Sequence, residues 1–197
     1  MNEEGTAAVV RLDGPQLERC AIAGTSPRRR IDRVPVIVSK KLIEHGNVFN
    51  WGNSMSELTL DQAQTIVKDA LGHARAGKFN ALAIIVLDAR GALKASAAED
   101  GTSLMRWKVA FGKAYGAVAW GAGSKRIEKL ALDRPHFFGA VTHLADGGIL
   151  PVGGGVLIRD KDNRIIGAVG VSGDTSDNDE LAASTGIKAA GLIADGG

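Results

Sequence analysis

Cysteine is nearly missing from this sequence, which holds a single cysteine, at position 20, among 197 residues. One cysteine excludes a disulfide within the chain and a zinc site built from thiolates, which fits a reducing compartment. Long apolar runs are missing too, since no stretch of about 20 apolar residues occurs. The acidic start, MNEEGTAAVV, lacks the apolar segment of a secretory signal. We therefore expect a soluble, cytoplasmic protein that does not associate with membranes.

Charge of one sign is not in excess either. The chain has 24 basic and 22 acidic residues, interspersed along its length, for a formal net charge of +2. This balance excludes a broad electrostatic attraction for nucleic acid and favours a small molecule or another protein as the partner. Hydrophobic residues make up 45% of the chain. That content and length suffice for one packed core with an appendage, and nothing indicates two full domains.

Residues 1–54 differ in composition from the rest of the chain. They contain three of the five prolines and the basic triplet at 28–30, without a sustained helical period. We interpret them as an N-terminal extension or arm without a core of its own, and residues 55–197 as the folded domain. The arm is either solvated or adds its β-prone segment VPVIV, at 34–38, to a neighbouring subunit. A third interpretation makes Met55 the biological start.

Regular patterns begin at Thr59. The segment TLDQAQTIVKDALGHARAG opens with a capping box of Thr59 and Gln62 and predicts a helix that ends at Gly77. The apolar stripe of this helix comprises Leu60, Ala63, Val67, Ala70, Leu71 and Ala74. NALAIIVLDARGALKASAAEDG predicts a β-hairpin. SLMRWKVAFGKAYGAVAWG predicts a second helix, rich in small residues, with Leu104 as the first residue of its apolar face.

The C-terminal half repeats this alternation. SKRIEKLALDRPHFFGAVTHLA predicts short helical pieces broken at Pro135. GGILPVGGGVLIRDKDNRIIGAVGVSG predicts a second hairpin, and DNDELAASTGIKAAGLIA a last helix begun by Asp177 and Glu180. Strands paired in hairpins, with no βαβ units, imply an antiparallel sheet. We therefore predict a single α+β domain in which helices flank an antiparallel sheet.

Four segments, in order and with matching gaps, resemble the GlcG/HbpS-like haem-binding family, whose domain also forms the C-terminal part of PduO-type corrinoid adenosyltransferases. They are VLDARG, EDGTSLMRWKVAFGKAYGA, LPVGGGVLI and IIGAVGVSGDTSDNDELAASTG. The resemblance covers about residues 57–192. The chain departs from the family at Gly116, where a threonine is common, and at Gly153 and Leu157, where the family has prolines.

The resemblance implies a profilin-like architecture, a central antiparallel sheet flanked by helices. It also implies a homo-oligomer that holds a flat ligand, haem, in a cleft by the sheet and helices. Covalent attachment of haem is excluded because the sequence has no Cys-x-x-Cys-His segment. Relatives occur beside catabolic genes, which as a family-level implication allows an enzyme that acts on a small organic acid.

A glycine loop and two basic side chains form the predicted binding site. Gly153, Gly154 and Gly155 lack a Cβ, so a planar ligand can approach their backbone closely. Arg106 and Lys113 lie seven residues apart on the second helix, where they can pair with the carboxylates of a ligand. Gly167 and Gly170, in the following strand, also allow a close approach, either by a ligand or by a tightly packed helix.

Lys113 lies among small residues of the family motif, so we expect it to be partly buried and to need a carboxylate partner or a lowered pKa. The pocket is predicted where the 153–155 loop, the second helix and the turn at 88–91 come together, including across a subunit boundary. Replacing Lys113 with methionine is then expected to weaken ligand binding well before it harms folding.

Haem also needs a donor to its iron. The candidates are His45, His73, Tyr115, His136 and His143. We select His73, at the end of the first helix, as the metal ligand, although a helix C-terminal histidine that interacts with the helix dipole is the simpler interpretation.

Three functions follow from these patterns. The first is non-covalent haem binding, for haem sensing, storage or degradation. The second is an oligomeric catabolic enzyme in which Lys113 and Arg106 hold or activate a carboxylate and Asp88 or Asp100 moves a proton. No nucleophile elbow, metal quartet or phosphate loop specifies a reaction. The third is a structural oligomer without a ligand, and whether the protein is an enzyme stays open.

Overall fold

The computed structural model describes residues 57–145 and 148–197. The predicted arm, with its VPVIV segment and His45, lies outside the described residues. In chain order the elements are α1 (Leu60–Ala76), β1 (Ala83–Asp88), β2 (Leu93–Ala98), α2 (Arg106–Trp120), α3 (Ser124–Asp133), α4 (Pro135–Leu144), β3 (Gly155–Arg159), β4 (Ile165–Ser172), α5 (Ser176–Ala189) and β5 (Ile193–Asp195).

The five strands form one sheet in the order β2-β1-β4-β3-β5, and every neighbouring pair is antiparallel. The two predicted hairpins are β1 with β2 and β3 with β4. They join through β1 and β4 at the centre of the sheet. The short edge strand β5 was not predicted. The α+β architecture with an antiparallel sheet is therefore confirmed.

Helices cover both faces of the sheet, because successive side chains of a strand point to opposite sides. Ile84 and Val86 of β1 belong to the core that α1 and α5 cover. Ile85 and Leu87 of the same strand belong to a second core with α2. The continuous burial of β1 follows from these two covered faces.

Helix α1 starts where the sequence predicts, but the residues that it buries differ from the predicted apolar stripe. Thr59 and Gln62 form the predicted capping box, in which the Thr59 hydroxyl accepts from the Gln62 N–H at 3.2 Å. Ile66 is fully buried whereas Leu60, assigned to the stripe, is exposed. Leu60 is the first helical residue, and its side chain lies beyond the part of α1 that packs on the sheet. The position of the helix on the core thus decides which apolar residues it buries.

Two further helix starts correct the sequence interpretation. The last helix, α5, is capped by Thr175, whose side chain accepts from the Asn178 N–H at 3.3 Å, so Asp177 and Glu180 do not begin it. Helix α2 begins at Arg106, and Leu104 precedes it as an exposed residue. The charge pattern thus placed the start of α5 too late, and the apolar pattern placed the start of α2 too early.

Pro135 separates α3 from α4, as predicted, and is the first residue of α4. Phe138 of α4 is buried together with Ile127 of α3 and Ile149. Among the described residues, no helix combines the length and apolar character needed to cross a bilayer.

Candidate functional site

The glycines of the sheet let α2 lie directly on the strand backbones. A Cβ on Gly170 of β4 would overlap the carbonyl oxygen of Ala110, and one on Gly155 of β3 would overlap the carbonyl oxygen of Lys113. Real side chains do not tolerate such overlap, so only glycine permits this approach. What comes close to the glycine-rich strands in this structure is therefore a helix.

The 153–155 loop has protein partners for its donors. The Gly153 N–H donates to Glu128 at 3.1 Å, and the Gly155 N–H donates to the Ser124 hydroxyl at 2.6 Å. Gly154 adopts a φ of 105°, in the region that favours glycine. All three glycines are buried. The groups that this loop contacts here belong to α2, α3, α5 and β4, and its ligand-facing role stays a prediction.

Lys113 is buried and forms an ion pair with Asp179 of α5. The Lys113 Nζ lies 2.8 Å from the Asp179 carboxylate and 2.9 Å from the Val171 carbonyl oxygen, and the two side chains are only 3% and 2% exposed. Burial raises the pKa of Asp179, and the hydrogen bond and charge of Lys113 oppose that rise. The expected carboxylate partner of Lys113 is thus an aspartate of the protein itself.

Arg106, the first residue of α2, lies near the buried ion pair of Lys113 and Asp179. Its guanidinium is 3.4 Å from the buried hydroxyl of Ser172, and its charge also acts on Asp179. Arg106 is half-buried, so part of it stays accessible from outside. Of the two predicted carboxylate-binding groups, Arg106 is the one with an accessible surface.

The turn at 88–91 lies apart from Lys113. Asp88 pairs with Gly167 on β4, whereas Lys113 bonds Val171, four residues further along that strand, or about 13 Å away. Gly91 instead lies against the ring of Tyr115. Within one copy the glycine loop meets α2 near Lys113 and the turn meets it near Tyr115, so the convergence of all three segments, which included a subunit boundary, stays a prediction. The two contacts lie apart because β1 pairs with β4 along its whole length, from the turn at Asp88 to the end of the sheet near Lys113.

Asp88 organises the hairpin turn. Its carboxylate accepts from the N–H groups of Arg90, at 2.8 Å, and Ala92, at 2.9 Å, and from the Arg90 guanidinium at 3.0 Å. Burial alone would raise the pKa of Asp88, but these donors outweigh it and hold the pKa below 3.8. Such a carboxylate is a weak base at neutral pH. Asp100 is exposed in the turn after β2. A catalytic role for either residue stays a prediction.

We expect Asp88→Ala to lower the free energy of unfolding by about 1–2 kcal/mol, because the turn loses its acceptor. The folded-state pKa is lowered, so the charge stabilises the fold above pH 3.8 and that contribution is lost as the pH falls through the folded pKa. The variant should therefore lose less stability on acidification. Urea denaturation at neutral and acidic pH measures both effects. Asp100→Ala is the matched control, and an equal loss there would contradict the structural role of Asp88.

The histidines are scattered. His73 is half-buried in the last turn of α1, with its ring edge-on to Phe79 at 5.7 Å, and its Nε2 has no hydrogen-bond partner within the described structure. His136 and His143 are exposed on α4. Residues 57–145 and 148–197 contain no group of three side chains that could hold a metal ion. The role of His73 as a metal ligand stays a prediction.

An apolar cleft that the sequence did not indicate lies between α2 and the edge strand β2. Its volume is about 330 Å³, and its lining consists of Ile85, Leu93, Ser96, Ala97, Ala98, Trp107 and Phe111. It exists because α2 packs over β4, β1 and β3, which leaves the α2 side of β2 open. Leu93 on that strand is accordingly 59% exposed.

Two basic residues flank the cleft residue Trp107 on α2. The Lys108 ammonium lies 5.6 Å from the centroid of the Trp107 ring, and Arg106 directly precedes Trp107 on α2. Trp107 and Phe111 are one helical turn apart, in a chain with only 5% aromatic residues. That pair was the available sequence signal, but helical spacing alone suggested only a core-facing stripe.

The hypothesis of an organic-acid enzyme has less support from this geometry. Its central group, Lys113, has its ammonium bonded to Asp179 and to the Val171 carbonyl. Its proposed proton carriers are the Asp88 carboxylate, which is held in a turn apart from Lys113, and the exposed carboxylate of Asp100. An apolar cleft with basic residues next to one of its lining side chains is better suited to a flat, largely apolar ligand that carries acid groups.

Comparison with protein families agrees with the sequence resemblance. The sequence model of one family, described as haem degrading protein HbpS-like, matches residues 58–188. The resemblance deduced from four short segments is therefore confirmed over most of the described chain. A comparison with curated proteins found no match.

Solved structures share the fold. PduOC, solved as a haem complex, matches with a TM-score of 0.63 at 23% identity, over 69% of this chain and 96% of PduOC. HbpS matches with a TM-score of 0.60 at 25% identity, over 68% and 91%. The Klebsiella pneumoniae protein ORFY matches with a TM-score of 0.64 at 24% identity, over 72% and 96%. In all three comparisons the alignment covers more than nine-tenths of the solved chain.

Proposed function

Because the chain belongs to the HbpS-like family, we propose that it binds haem non-covalently in the apolar cleft between α2 and β2. The observation that carries this proposal is an apolar cleft of about 330 Å³ whose lining residue Trp107 is flanked by Arg106 and Lys108. A porphyrin ring is flat and apolar and carries two propionates at one edge. In this proposal Leu93, Trp107 and Phe111 contact the ring, and Lys108 and Arg106 pair with the propionates.

The cleft fits part of a porphyrin. Its volume lies at the lower end of the range for small-molecule sites, about 300–1,000 Å³, so one copy covers only a portion of the ring. When bound, haem would supply redox-active iron, and the residues of this chain would hold and orient the ring. Lys113 and the 153–155 glycines contribute by keeping α2 in place on the sheet.

We further propose a homo-oligomer in which a second copy covers the rest of the ring. Leu104 and Met105 support this arrangement, because both precede Trp107 and are strongly exposed apolar residues. The single cysteine favours the cytoplasm as the compartment. In this setting the protein would take part in haem sensing, storage or degradation.

Titration with haemin tests the proposed function. We expect a saturable change of the Soret band together with quenching of tryptophan fluorescence. Leu93→Gln places an amide in the cleft and should weaken binding about tenfold, the equivalent of about 1.4 kcal/mol. Leu132→Gln on α3 is the matched control, since Leu132 is also exposed and lies outside the cleft. Absence of a saturable Soret change in the unmodified protein would show that haem is not the ligand.

A further inference from the structure

We infer that the cleft recognises the tetrapyrrole ring and its carboxylates and not its iron, so that a metal-free porphyrin binds as tightly as haem. This inference rests on the proposed function, since it names the part of the ligand that the same cleft reads. The aromatic residues of the cleft can stack on a porphyrin ring, and the basic residues beside Trp107 can pair with its carboxylates.

The lining of the cleft offers nothing that ligates haem iron. Protein donors to haem iron are histidine, cysteine, methionine and tyrosine side chains. None of the seven lining residues is of these types, and their polar side-chain groups are the Ser96 hydroxyl and the indole N–H of Trp107. An aliphatic and aromatic lining gains free energy from any apolar ring that it removes from water, whatever the centre of that ring holds.

The histidines of the described chain lie away from the cleft. His73 is on α1, which packs against the opposite face of the sheet from α2. His136 and His143 are on α4, which packs on α3.

Tyr115 and Met105 flank the cleft residues along the chain, and neither lines the cleft. The Tyr115 ring lies against Gly91 and Gly148, and Met105 precedes the first turn of α2. Met105 is the donor whose reach is least restricted, because its side chain is exposed. It therefore provides the most direct variant for an iron-dependent alternative.

The charged groups at the cleft do not distinguish a metal-free ring from haem. Arg106 and Lys108 flank Trp107 on α2, and they would pair with carboxylates of the ligand. Protoporphyrin IX carries the same two propionates and the same vinyl and methyl groups as haem. Ring stacking and charge pairing are therefore available equally to both molecules.

The full-length protein is titrated in parallel with haemin, metal-free protoporphyrin IX and zinc protoporphyrin, with tryptophan quenching as the common readout. We expect dissociation constants that agree within about threefold. Leu93→Gln should weaken all three porphyrins by a similar factor, while Leu132→Gln leaves them unchanged. Met105→Leu, which keeps an apolar side chain and removes the thioether, should leave the ratio of the haemin and protoporphyrin IX affinities unchanged.

Other outcomes distinguish a failure of the inference from a failure of the proposed function. If haemin binds and protoporphyrin IX binds more than about threefold more weakly, the inference is wrong and the proposed function survives. Met105→Leu and His73→Ala would then identify the iron ligand. Equal affinities that Leu93→Gln leaves unchanged would also overturn the inference, because binding would lie outside the cleft. If none of the porphyrins binds, the proposed function falls with it.

Discussion

Replacing Lys113 with methionine is expected to lower the free energy of unfolding by about 3–5 kcal/mol, so the buried ion pair reverses the sequence-based expectation that ligand binding would suffer before folding. The substitution keeps the length of the side chain and removes its charge. Asp179, whose side chain is only 2% exposed, would then hold a buried carboxylate without its counter-charge. The Val171 carbonyl oxygen would also lose the donor that now lies 2.9 Å away.

Urea denaturation followed by circular dichroism measures this loss. Lys108→Met is the matched control, since Lys108 is an exposed lysine on the same helix and its replacement should change stability by less than about 0.5 kcal/mol. The double variant Lys113→Met with Asp179→Leu should recover much of the loss, because it removes both buried charges. An unchanged urea midpoint for Lys113→Met alone would mean that the pair does not hold α2 to α5.

The pH dependence of this variant has a definite sign. Burial raises the pKa of Asp179 above 3.8, and removal of Lys113 eliminates the main group that opposes the rise. The folded variant therefore binds a proton that the unfolded chain releases, so its stability falls as the pH rises through the window above 3.8. The deficit relative to the unmodified protein should thus be smaller in acid than at neutral pH. A deficit that grows on acidification would contradict this assignment.

The second large effect is expected for Gly170→Ala, which should lower the free energy of unfolding by about 3 kcal/mol or more. The added methyl group would overlap the Ala110 carbonyl oxygen and crowd the Ala114 backbone nitrogen, at 2.8 Å. Both groups belong to the backbone of α2 and cannot rotate away. The helix must therefore lift from β4, which opens the core formed by Ala110, Ala114 and Ala168.

Urea denaturation again provides the measurement, and loss of a cooperative transition is the extreme form of the expected result. Gly72→Ala is the matched control. Gly72 lies in α1 with no atom within 4 Å of an added Cβ, so alanine there should stabilise the protein by about 0.5–1 kcal/mol. If Gly170→Ala were as stable as the unmodified protein, α2 would not approach β4 as closely as the structure has it.

Local chemistry in the sequence determined where most elements begin, turn and end. The capping box at Thr59 starts α1, and Pro135 ends α3, because each effect acts within a few residues of the chain. The alternation and turn residues of the two hairpins determined the antiparallel sheet in the same way. The four family segments then identified the family, which the comparison of residues 58–188 confirms.

The candidate site was decided by the tertiary structure. The burial of Lys113 was predictable from its small neighbours, but its partner Asp179 lies 66 residues away in the sequence. Gly155 of β3 and Gly170 of β4 are suited to a ligand or to a helix, and only the position of α2 shows that a helix occupies that space. The cleft beside Trp107 exists because α2 leaves edge strand β2 uncovered. These features depend on how distant elements cross one another, and that geometry is set by packing of the whole core, which no short stretch of sequence encodes.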